Sequence, residues 1–292
     1  MLATTRTDAV RKHRLVPALV LVTMLSACAG VDNAASPSAA ASQAAASALP
    51  VTSPSEASDL VTGPFPVDDG RQLNLECLGE GSPTIILESG DESGIEEWGL
   101  IRLDLSEVTK TCAYDRGGIG RSDPVTGCRQ LDDLTADLEQ LLEAAAVPPP
   151  YVLVAGSGGG FIASGFAQDH ADDIAGMVFL DVPMAFLDPP HEVVEETACD
   201  NPGNLEHRDY LQVEADAWNS RSEIGDIPVT IISNDPGPDA PPEEQNNVTA
   251  QQGWLVLSPG AKQVVIESGH DVATNEPELV VAEVTEVVRA AQ

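Results

Sequence analysis

The chain has 292 residues, of which 42% are hydrophobic, and its formal net charge at pH 7 is −33. That apolar content is ordinary for a globular protein and too high for a disordered one. The extreme negative charge argues against nucleic acid or anionic lipid as a binding partner, because binding either one requires a positive face.

The first 28 residues differ in composition from the rest of the chain. A short apolar run over residues 15–25 follows four basic residues, Arg6, Arg11, Lys12 and Arg14. This order is typical of a secretory signal peptide, and the closing Leu-Ser-Ala-Cys resembles the cleavage site of bacterial lipoproteins. Residues 1–28 are therefore predicted to be a lipoprotein signal peptide. It would place a lipid on Cys28 and anchor an exported protein at the extracytoplasmic face of the cell membrane. A plain secretory peptide that happens to contain a cysteine is the alternative.

Residues 29–58 are rich in Ala, Ser and Pro and have no apolar period, which predicts a disordered tether. Residues 59–292 are left for one folded domain. Besides Cys28 the chain contains Cys77, Cys112, Cys128 and Cys199. An even number of cysteines on an exported chain predicts two disulfides, in any of three pairings. Their spacing does not fit a zinc site, which needs close pairs.

Short β-rich segments alternate with helical segments from residue 73 onward. The strands predicted in chain order are LNLECL (73–78), PTIILES (83–89), KTCAYD (110–115), YVLVA (151–155), MVFLD (177–181), PVTIIS (228–233) and KQVVIE (262–267). Helices are predicted at about 131–145, 159–168 and 277–291.

Apolar strands that alternate with helices predict an α/β fold, in which a largely parallel sheet carries helices on both faces. We expect that the first two strands could pair as an antiparallel edge. A long acidic insertion with Tyr210 and Trp218, at about 182–227, predicts a small cap. Ligands of such sheets bind beyond the carboxyl ends of the strands, where Ser157, Asp181 and His270 are expected.

The cluster Ala155-Gly156-Ser157-Gly158-Gly159-Gly160 lies between a predicted strand and a predicted helix. A dinucleotide fingerprint is a poor match, because its third small residue would fall on Phe161. A phosphate-binding P-loop fails, because Gly-Lys-Ser/Thr is absent. The nucleophile elbow, G-x-S-x-G, fits with Ala in place of the first Gly and makes Ser157 the candidate nucleophile. A bland glycine loop is the remaining alternative.

Four segments resemble α/β-hydrolase proteins, in the order that this family has them. PYVLVAGSGGG and the residues up to MVFLD resemble the nucleophile turn, and PTIILESGDESGIEEW resembles the oxyanion loop. CAYDRGGIGRSD resembles the loop after the fourth strand, and SGHDVATNEPELV the segment with the catalytic histidine. The resemblance covers about residues 72–290 and implies the α/β-hydrolase fold. It departs at Ala155, where the family usually has Gly, and at Gly156, where it usually has His.

A serine hydroxyl needs a base within hydrogen-bond reach to become a good nucleophile near neutral pH. His270 follows a strand on the sheet edge where Ser157 should lie, so it is predicted to act as general base and then as general acid. A structural loop histidine is the alternative. The other histidines lie in the leader, at a helix end or in the cap, where solvent exposure is expected: His13, His170, His191 and His207.

The histidine in turn needs a carboxylate to fix its tautomer. The resemblance offers two places for this acid. One is the end of the strand after the elbow helix, which carries Asp181, and the other is the loop of PVTIISNDPGPD, which carries Asp235 and Asp239. Asp181 is preferred and Asp235 is the alternative, although Asp181 could equally cap the loop that it begins.

The oxyanion of acyl transfer needs fixed N–H donors. The backbone N–H groups of Gly158 and Asp91 are predicted to supply them, with Gly90 turning the chain and the Asp91 side chain pointing away. Asp115 and Arg116 are expected to organise their own loop rather than to react.

Together these residues imply a serine hydrolase that cleaves an ester, less readily an amide, through an acyl-serine intermediate, with no metal or organic cofactor. The expected partners are a small-molecule acyl substrate and, through the N-terminal lipid alone, the membrane; the protein is expected to be a monomer. The negative field should disfavour anionic substrates. The opposing hypothesis is a surface lipoprotein that keeps the hydrolase fold and only binds.

Overall fold

The computed structural model describes residues 61–68, 70–99, 101–184 and 198–292. The predicted signal peptide, the lipidation at Cys28 and the tether up to residue 58 lie outside the described residues. Residues 185–197 of the predicted cap, including His191, lie outside them as well.

An eight-stranded sheet forms the centre of the described chain. Its strands are β1 (Thr62–Pro66), β2 (Gln72–Leu78), β3 (Thr84–Glu88), β4 (Thr111–Tyr114), β5 (Tyr151–Gly156), β6 (Ile174–Leu180), β7 (Val229–Asn234) and β8 (Lys262–Ile266). The order across the sheet is β1-β2-β4-β3-β5-β6-β7-β8. β2 pairs antiparallel with both β1 and β4, and every other pair of neighbours is parallel.

Helices cover both faces of this sheet, as the alternating sequence pattern predicts. They are α1 (Ile101–Ser106), α2 (Leu131–Ala144), α3 (Gly159–Asp169), α4 (Tyr210–Ser220), α5 (Pro242–Ala250), α6 (Val272–Asn275) and α7 (Pro277–Ala290), with 3-10 turns at Ile95–Trp98, Ala171–Asp173 and Gln251–Leu257. None of the helices that the structure describes is long and apolar enough to span a membrane.

Two apolar cores flank the sheet, because successive residues of a strand point to opposite faces. Leu153 of β5 lies in the core shared with α2, α3 and α4, and its neighbour Val154 lies in the core shared with α1 and α7. The predicted α/β architecture, a mostly parallel sheet between two helical layers, is confirmed.

The expectation that the first two predicted strands pair with each other is wrong. The segment LNLECL forms β2 and pairs with β1 and β4, whereas PTIILES forms β3 between β4 and β5. All five residues of β3 are buried, which is the pattern of an interior parallel strand rather than of an edge. The edge strand β1 was not predicted, because its sequence TGPFP holds a glycine and two prolines, which are tolerated mainly at edges.

Two disulfides select one of the three possible pairings. Cys77 bonds Cys112, and the two residues face each other across the β2–β4 ladder. Cys128 bonds Cys199 and ties the loop before α2 to the segment before α4.

The described part of the predicted cap contains α4, which packs against α2 and α3 on one face of the sheet. Val213 and Ala217 of this helix are fully buried, and Trp218 lies edge-on to Trp254 at a ring-centroid distance of 5.0 Å. This packing brings the residues just before α4, Asn204 to Asp209, against the loops at the carboxyl ends of β3 and β4.

Candidate active site

Ser157 stands at a tight turn between β5 and α3. Its φ is +46°, a left-handed conformation that costs energy for a residue with a side chain and is typical of a nucleophile elbow. The turn is tight because β3 lies beside it: a Cβ added to Gly159 would lie 2.2 Å from the Ser89 carbonyl oxygen. Ala155, the departure from the family pattern, is fully buried.

His270 lies in the loop between β8 and α6 and contacts Ser157 directly. Its Nε2 is 2.8 Å from the Ser157 Oγ, and its Nδ1 is 2.7 Å from the Asp181 Oδ2. The His270 side chain is 57% exposed and that of Asp181 is 6% exposed. The hydrogen bond to Asp181 raises the pKa of His270, while partial burial lowers it and the charges of Asp181, Asp271 and Glu97 raise it further.

Asp181 directly follows β6, in a conformation that directs its carboxylate to the histidine. Its φ is +47°, and its backbone N–H donates to the Ile232 carbonyl of the next strand. Its Oδ1 accepts hydrogen bonds from the Gln251 side chain at 2.7 Å and from the Asn234 backbone N–H at 3.2 Å. The other oxygen, Oδ2, is left for His270.

The alternative acids lie elsewhere. Asp235 and Asp239 are exposed in the loop after β7, and the Asp235 carboxylate accepts the N–H of Gly237 within that loop. The structure therefore brings Ser157, His270 and Asp181 together and leaves Asp235 outside that hydrogen-bonded chain. Gln251 orients Asp181 but carries no sequence signal. It lies 70 residues after Asp181, in a 3-10 turn that no motif predicts.

The loop after β3 brings Asp91 beside the serine turn, as the resemblance implies. Among the hydrogen bonds of the described residues, neither the Asp91 N–H nor the Gly158 N–H has an acceptor. The Gly90 N–H is engaged, because it donates to the Glu97 Oε2 at 2.7 Å. Two of the three predicted oxyanion residues thus present unpaired backbone N–H groups next to Ser157.

The Asp91 side chain does not point away from the turn, contrary to expectation. Its Oδ1 lies 2.0 Å from the position that a Cβ on Gly158 would take. It is held there by Arg208, which is fully buried and donates to the same oxygen at 2.7 Å and to the Gly158 carbonyl at 3.3 Å. This ion pair explains why residue 158 is a glycine.

Glu97 is a site residue that the sequence reasoning missed. It lines a cavity of about 50 Å³ together with Ser157 and seven other residues, among them His270, Asp271 and Val272. Burial raises the pKa of Glu97, although the hydrogen bond from Gly90 and the charge of Arg116 lower it.

A buried network of charges holds the loop that carries Asp91. Arg116 donates to the Glu88 and Glu206 carboxylates at 2.7 Å each, and to the carbonyls of Ser89 and Gly90 at 2.6 Å each. Glu206 also accepts the Glu92 N–H at 2.9 Å. Arg116 therefore braces the loop after β3 in addition to its own.

Arg116 attracts both carboxylates of this network, although burial and the charge of Glu206 keep the pKa of Glu88 raised. Burial by itself would lower the pKa of Arg116, but the carboxylates of Glu206 and Glu88 raise it well above its usual value. Burial would raise the pKa of Glu206, but the charge and hydrogen bonds of Arg116 lower it. Asp115 accepts the Arg121 N–H of its own loop, as expected, and also the Ile95 N–H, so that like Arg116 it holds the segment after β3 as well.

Among the described residues, no hydrogen bond joins His170 or His207 to Ser157, Asp181 or His270. His170 ends α3, where its ring stacks on Phe166 at a centroid distance of 4.3 Å, and His207 has a φ of +47° and lies between exposed and buried. Within the described ranges no group of three or more His, Cys, Asp or Glu side chains is placed to hold a metal ion.

Comparison with known proteins gives one family match and several relatives. Residues 107–195, less than a third of the chain, match a family described as serine aminopeptidase, S33. The uncharacterized protein YqjL of Bacillus subtilis (strain 168) is 27% identical over 214 residues, which cover 69% of this chain and 82% of YqjL.

Solved structures of two esterases have a similar fold. A thermophilic esterase from Thermogutta terrifontis is 20% identical with a TM-score of 0.62, over 80% of this chain and 97% of the esterase. The esterase RhEst1 from Rhodococcus sp. ECU1013 is 17% identical with a TM-score of 0.59, over 80% of this chain and all of the esterase. Identities this low establish the fold alone. The chain has the α/β-hydrolase fold.

Proposed function

We propose that this protein is a serine hydrolase of the carboxylesterase type, which cleaves an ester bond through an acyl-serine intermediate on Ser157. The observation that carries the proposal is the unbroken hydrogen-bonded chain from the Ser157 Oγ through His270 to the buried Asp181 carboxylate. Nucleophile, base and orienting acid in this order are the arrangement that activates a serine hydroxyl.

In the first step the Ser157 Oγ attacks the carbonyl carbon of the ester, and the His270 Nε2 takes the hydroxyl proton. The hydrogen bond from the His270 Nδ1 to Asp181 keeps that nitrogen protonated, so that Nε2 is free to accept. The negative charge of Asp181 stabilises the imidazolium that results. The imidazolium then gives its proton to the leaving alcohol as the bond to the acyl carbon breaks.

In the second step a water molecule attacks the acyl-serine ester. His270 takes a proton from this water and returns it to the Ser157 Oγ as the acid product leaves. The His270 side chain is 57% exposed, which supports this step because water can approach the ring.

Both tetrahedral intermediates carry a negative oxygen that needs hydrogen-bond donors. The unpaired N–H groups of Gly158 and Asp91 are suited to this role. The Asp91 carboxylate beside them would oppose the oxyanion if it were unpaired, and the buried guanidinium of Arg208 offsets its charge.

The acyl and leaving groups are expected to be neutral or cationic. Glu97 and Asp271 line the cavity next to Ser157, and the net charge of the whole chain is −33. A field of this sign lowers the local concentration of anionic substrates. The esterase neighbours favour an ester, and the serine aminopeptidase description of the matched family favours including an amide in the test.

We also propose that the mature protein is a monomeric lipoprotein, held by a lipid on Cys28 at the extracytoplasmic face of the membrane. The two disulfides support an oxidising compartment. A Cys28→Ala variant expressed with its leader should leave the membrane fraction or remain unprocessed; an unchanged membrane-bound form would contradict the proposal.

A fluorophosphonate probe tests the enzymatic proposal. The purified protein should be labelled at Ser157 and should hydrolyse a panel of short acyl esters, with amino-acid anilides as the amide arm. Ser157→Ala should abolish labelling and turnover. Ser268→Ala is the matched control, because Ser268 lies two residues from His270 and its hydroxyl is engaged with the Gly269 carbonyl. A folded wild-type protein that is neither labelled nor active would favour the binding protein with a hydrolase fold.

A further inference from the structure

Glu97 and the loop that carries Asp91 form one folded-back unit. Glu97 lies on the 3-10 turn Ile95–Trp98, directly after the loop. Trp98 is fully buried and its Nε1 donates to the Ser89 Oγ at 2.8 Å, while that hydroxyl donates to the Gly94 carbonyl at 2.8 Å. These bonds fix the turn against the end of β3 and hold the Glu97 carboxylate against Gly90.

The two oxygens of Glu97 face two different parts of the site. Oε2 accepts the Gly90 N–H at 2.7 Å. Oε1 lies 2.5 Å from the position that a Cβ on Gly156 would take, next to the nucleophile. A side chain at residue 156, where the family usually has His, would occupy the place of this carboxylate. Gly156 and Glu97 therefore fit each other.

The hydrogen bond to Glu97 determines which N–H of the loop remains unpaired. Glu97 occupies the Gly90 N–H, so this donor is not available to a ligand at Ser157. The adjacent Asp91 N–H has no acceptor among the described residues. The carbonyl of Gly90 is held as well, because the Arg116 guanidinium donates a hydrogen bond to it at 2.6 Å.

We propose that Glu97 is a positioning residue for the hydrolytic reaction: its carboxylate clamps Gly90 so that the Asp91 N–H is aimed at the oxyanion, and the glycine at 156 is the space that admits it. This inference rests on the proposed function, since it concerns the same reaction. It also explains why residue 156 is a glycine here, where the family usually has His.

Three variants separate the effect of the Glu97–Gly90 hydrogen bond from the effect of the Glu97 charge. Glu97→Ala removes the acceptor and should lower kcat roughly 10- to 100-fold, because a displacement of about 1 Å in a catalytic group has effects of this size. Glu97→Gln keeps an acceptor for the Gly90 N–H and should recover most of kcat. Glu96→Gln is the control on the same turn, because the Glu96 side chain is exposed and should leave kcat unchanged.

Two readouts distinguish positioning from a merely structural role. The loss in Glu97→Ala should fall on kcat with little change in KM. Affinity for a trifluoromethyl ketone, which forms an oxyanion on Ser157, should fall in parallel with kcat/KM. Glu97→Gln should also move the acidic limb of the pH profile slightly downward, since Glu97 is one of the carboxylates, with Asp181 and Asp271, that face His270.

Gly156→Ala supplies an independent test, because its methyl group would push the Glu97 carboxylate from its place. It should lower kcat in the wild type and have little further effect in Glu97→Ala, a coupling that a double-mutant cycle measures. A folded Glu97→Ala with wild-type kcat on an ester that the wild type cleaves would overturn this inference alone. So would equal losses in Glu97→Gln and Glu97→Ala. Absence of labelling and turnover in the wild type would instead overturn the proposed function.

Discussion

The two halves of the candidate site are built differently. The serine turn is formed by contiguous residues, from β5 through Ser157 into α3, and its geometry follows from a strand, small residues and a helix. The loop with Asp91 is held by side chains from distant parts of the chain, of which Glu206 lies 114 residues after its partner Glu92. The serine turn is thus specified by local sequence, and the loop with Asp91 is specified by tertiary contacts.

This difference predicts different failures. Changes in the serine turn should act through steric clashes with the backbone of β3, whereas changes around the loop should act through charges left unpaired in the interior. Arg116 and Glu206 have side-chain exposures of 4% and 0%, so water cannot replace a lost partner. His270 and Asp181 form a third case, because they follow β8 and β6 and reach Ser157 from strands on the other side of β5.

The largest effect is expected where His270 loses its acid. Asp181→Asn keeps the size of the side chain but favours the wrong histidine tautomer, and kcat should fall by a factor on the order of 10⁴. Steady-state ester hydrolysis measures the loss. Asp235→Asn is the matched control and should stay within about twofold of wild type, because its side chain bonds only its own loop. A comparable loss in both variants, or in neither, would contradict the assignment of the acid.

The next largest effect is expected in the charge network that holds the loop with Asp91. Glu206→Ala leaves Arg116 buried with one carboxylate fewer, and the free energy of unfolding should fall by about 3–5 kcal/mol. Urea unfolding at neutral pH measures the change. Leu205→Ala is the control on the adjacent residue: its side chain is 55% exposed and the change should be within about 0.5 kcal/mol. A loss at Glu206 no larger than that at Leu205 would show that the network contributes little to stability.

A smaller effect is expected in the serine turn. Gly159→Ala would place a methyl group 2.2 Å from the Ser89 carbonyl oxygen, and a backbone atom cannot move aside cheaply. The expected cost is about 1–3 kcal/mol of unfolding free energy, with a fall in kcat as Ser157 is displaced. Gly260→Ala is the control, since the nearest atom to its new methyl group is 3.8 Å away. A fully active, equally stable Gly159→Ala would mean that the turn has room for a methyl group beside the Ser89 carbonyl.

The same contrast explains what the sequence could predict. The parallel strands, the layers of α2, α3 and α7 and the serine turn follow from local periodicity and small residues, and all were predicted. The placement of β3 inside the sheet was not, because strand order depends on contacts between distant segments. Neither were the roles of Glu97 and Gln251 or the contacts of Arg116 with Glu88 and Glu206, because these partners meet only after the chain has folded. The pairing of the cysteines could not be predicted either, because only the β2–β4 ladder places Cys77 opposite Cys112.

The smallest effect concerns the pH at which the site becomes active. His270 must be unprotonated to accept the serine proton, and the hydrogen bond to Asp181 raises its pKa above the ordinary value of 6.5. The acidic limb of kcat/KM should therefore lie above pH 6.5 in the wild type. Asp271→Asn removes one of the carboxylates that face the ring and should move this limb toward lower pH by a fraction of a unit, without the loss of kcat seen in Asp181→Asn.

The contribution of His270 to the free energy of unfolding should fall with rising pH over the range in which activity rises. The protonated histidine is favoured in the folded protein, so its contribution to stability is fully present below pH 6.5 and is lost as the pH rises through the raised pKa. The difference in Tm between wild type and His270→Asn should accordingly shrink over the pH range in which ester hydrolysis of the wild type increases. The effect on Tm should be small, because His270 is 57% exposed and solvent screens its charges. An acidic limb at or below pH 6.5 in the wild type would contradict the pairing of His270 with Asp181 in solution.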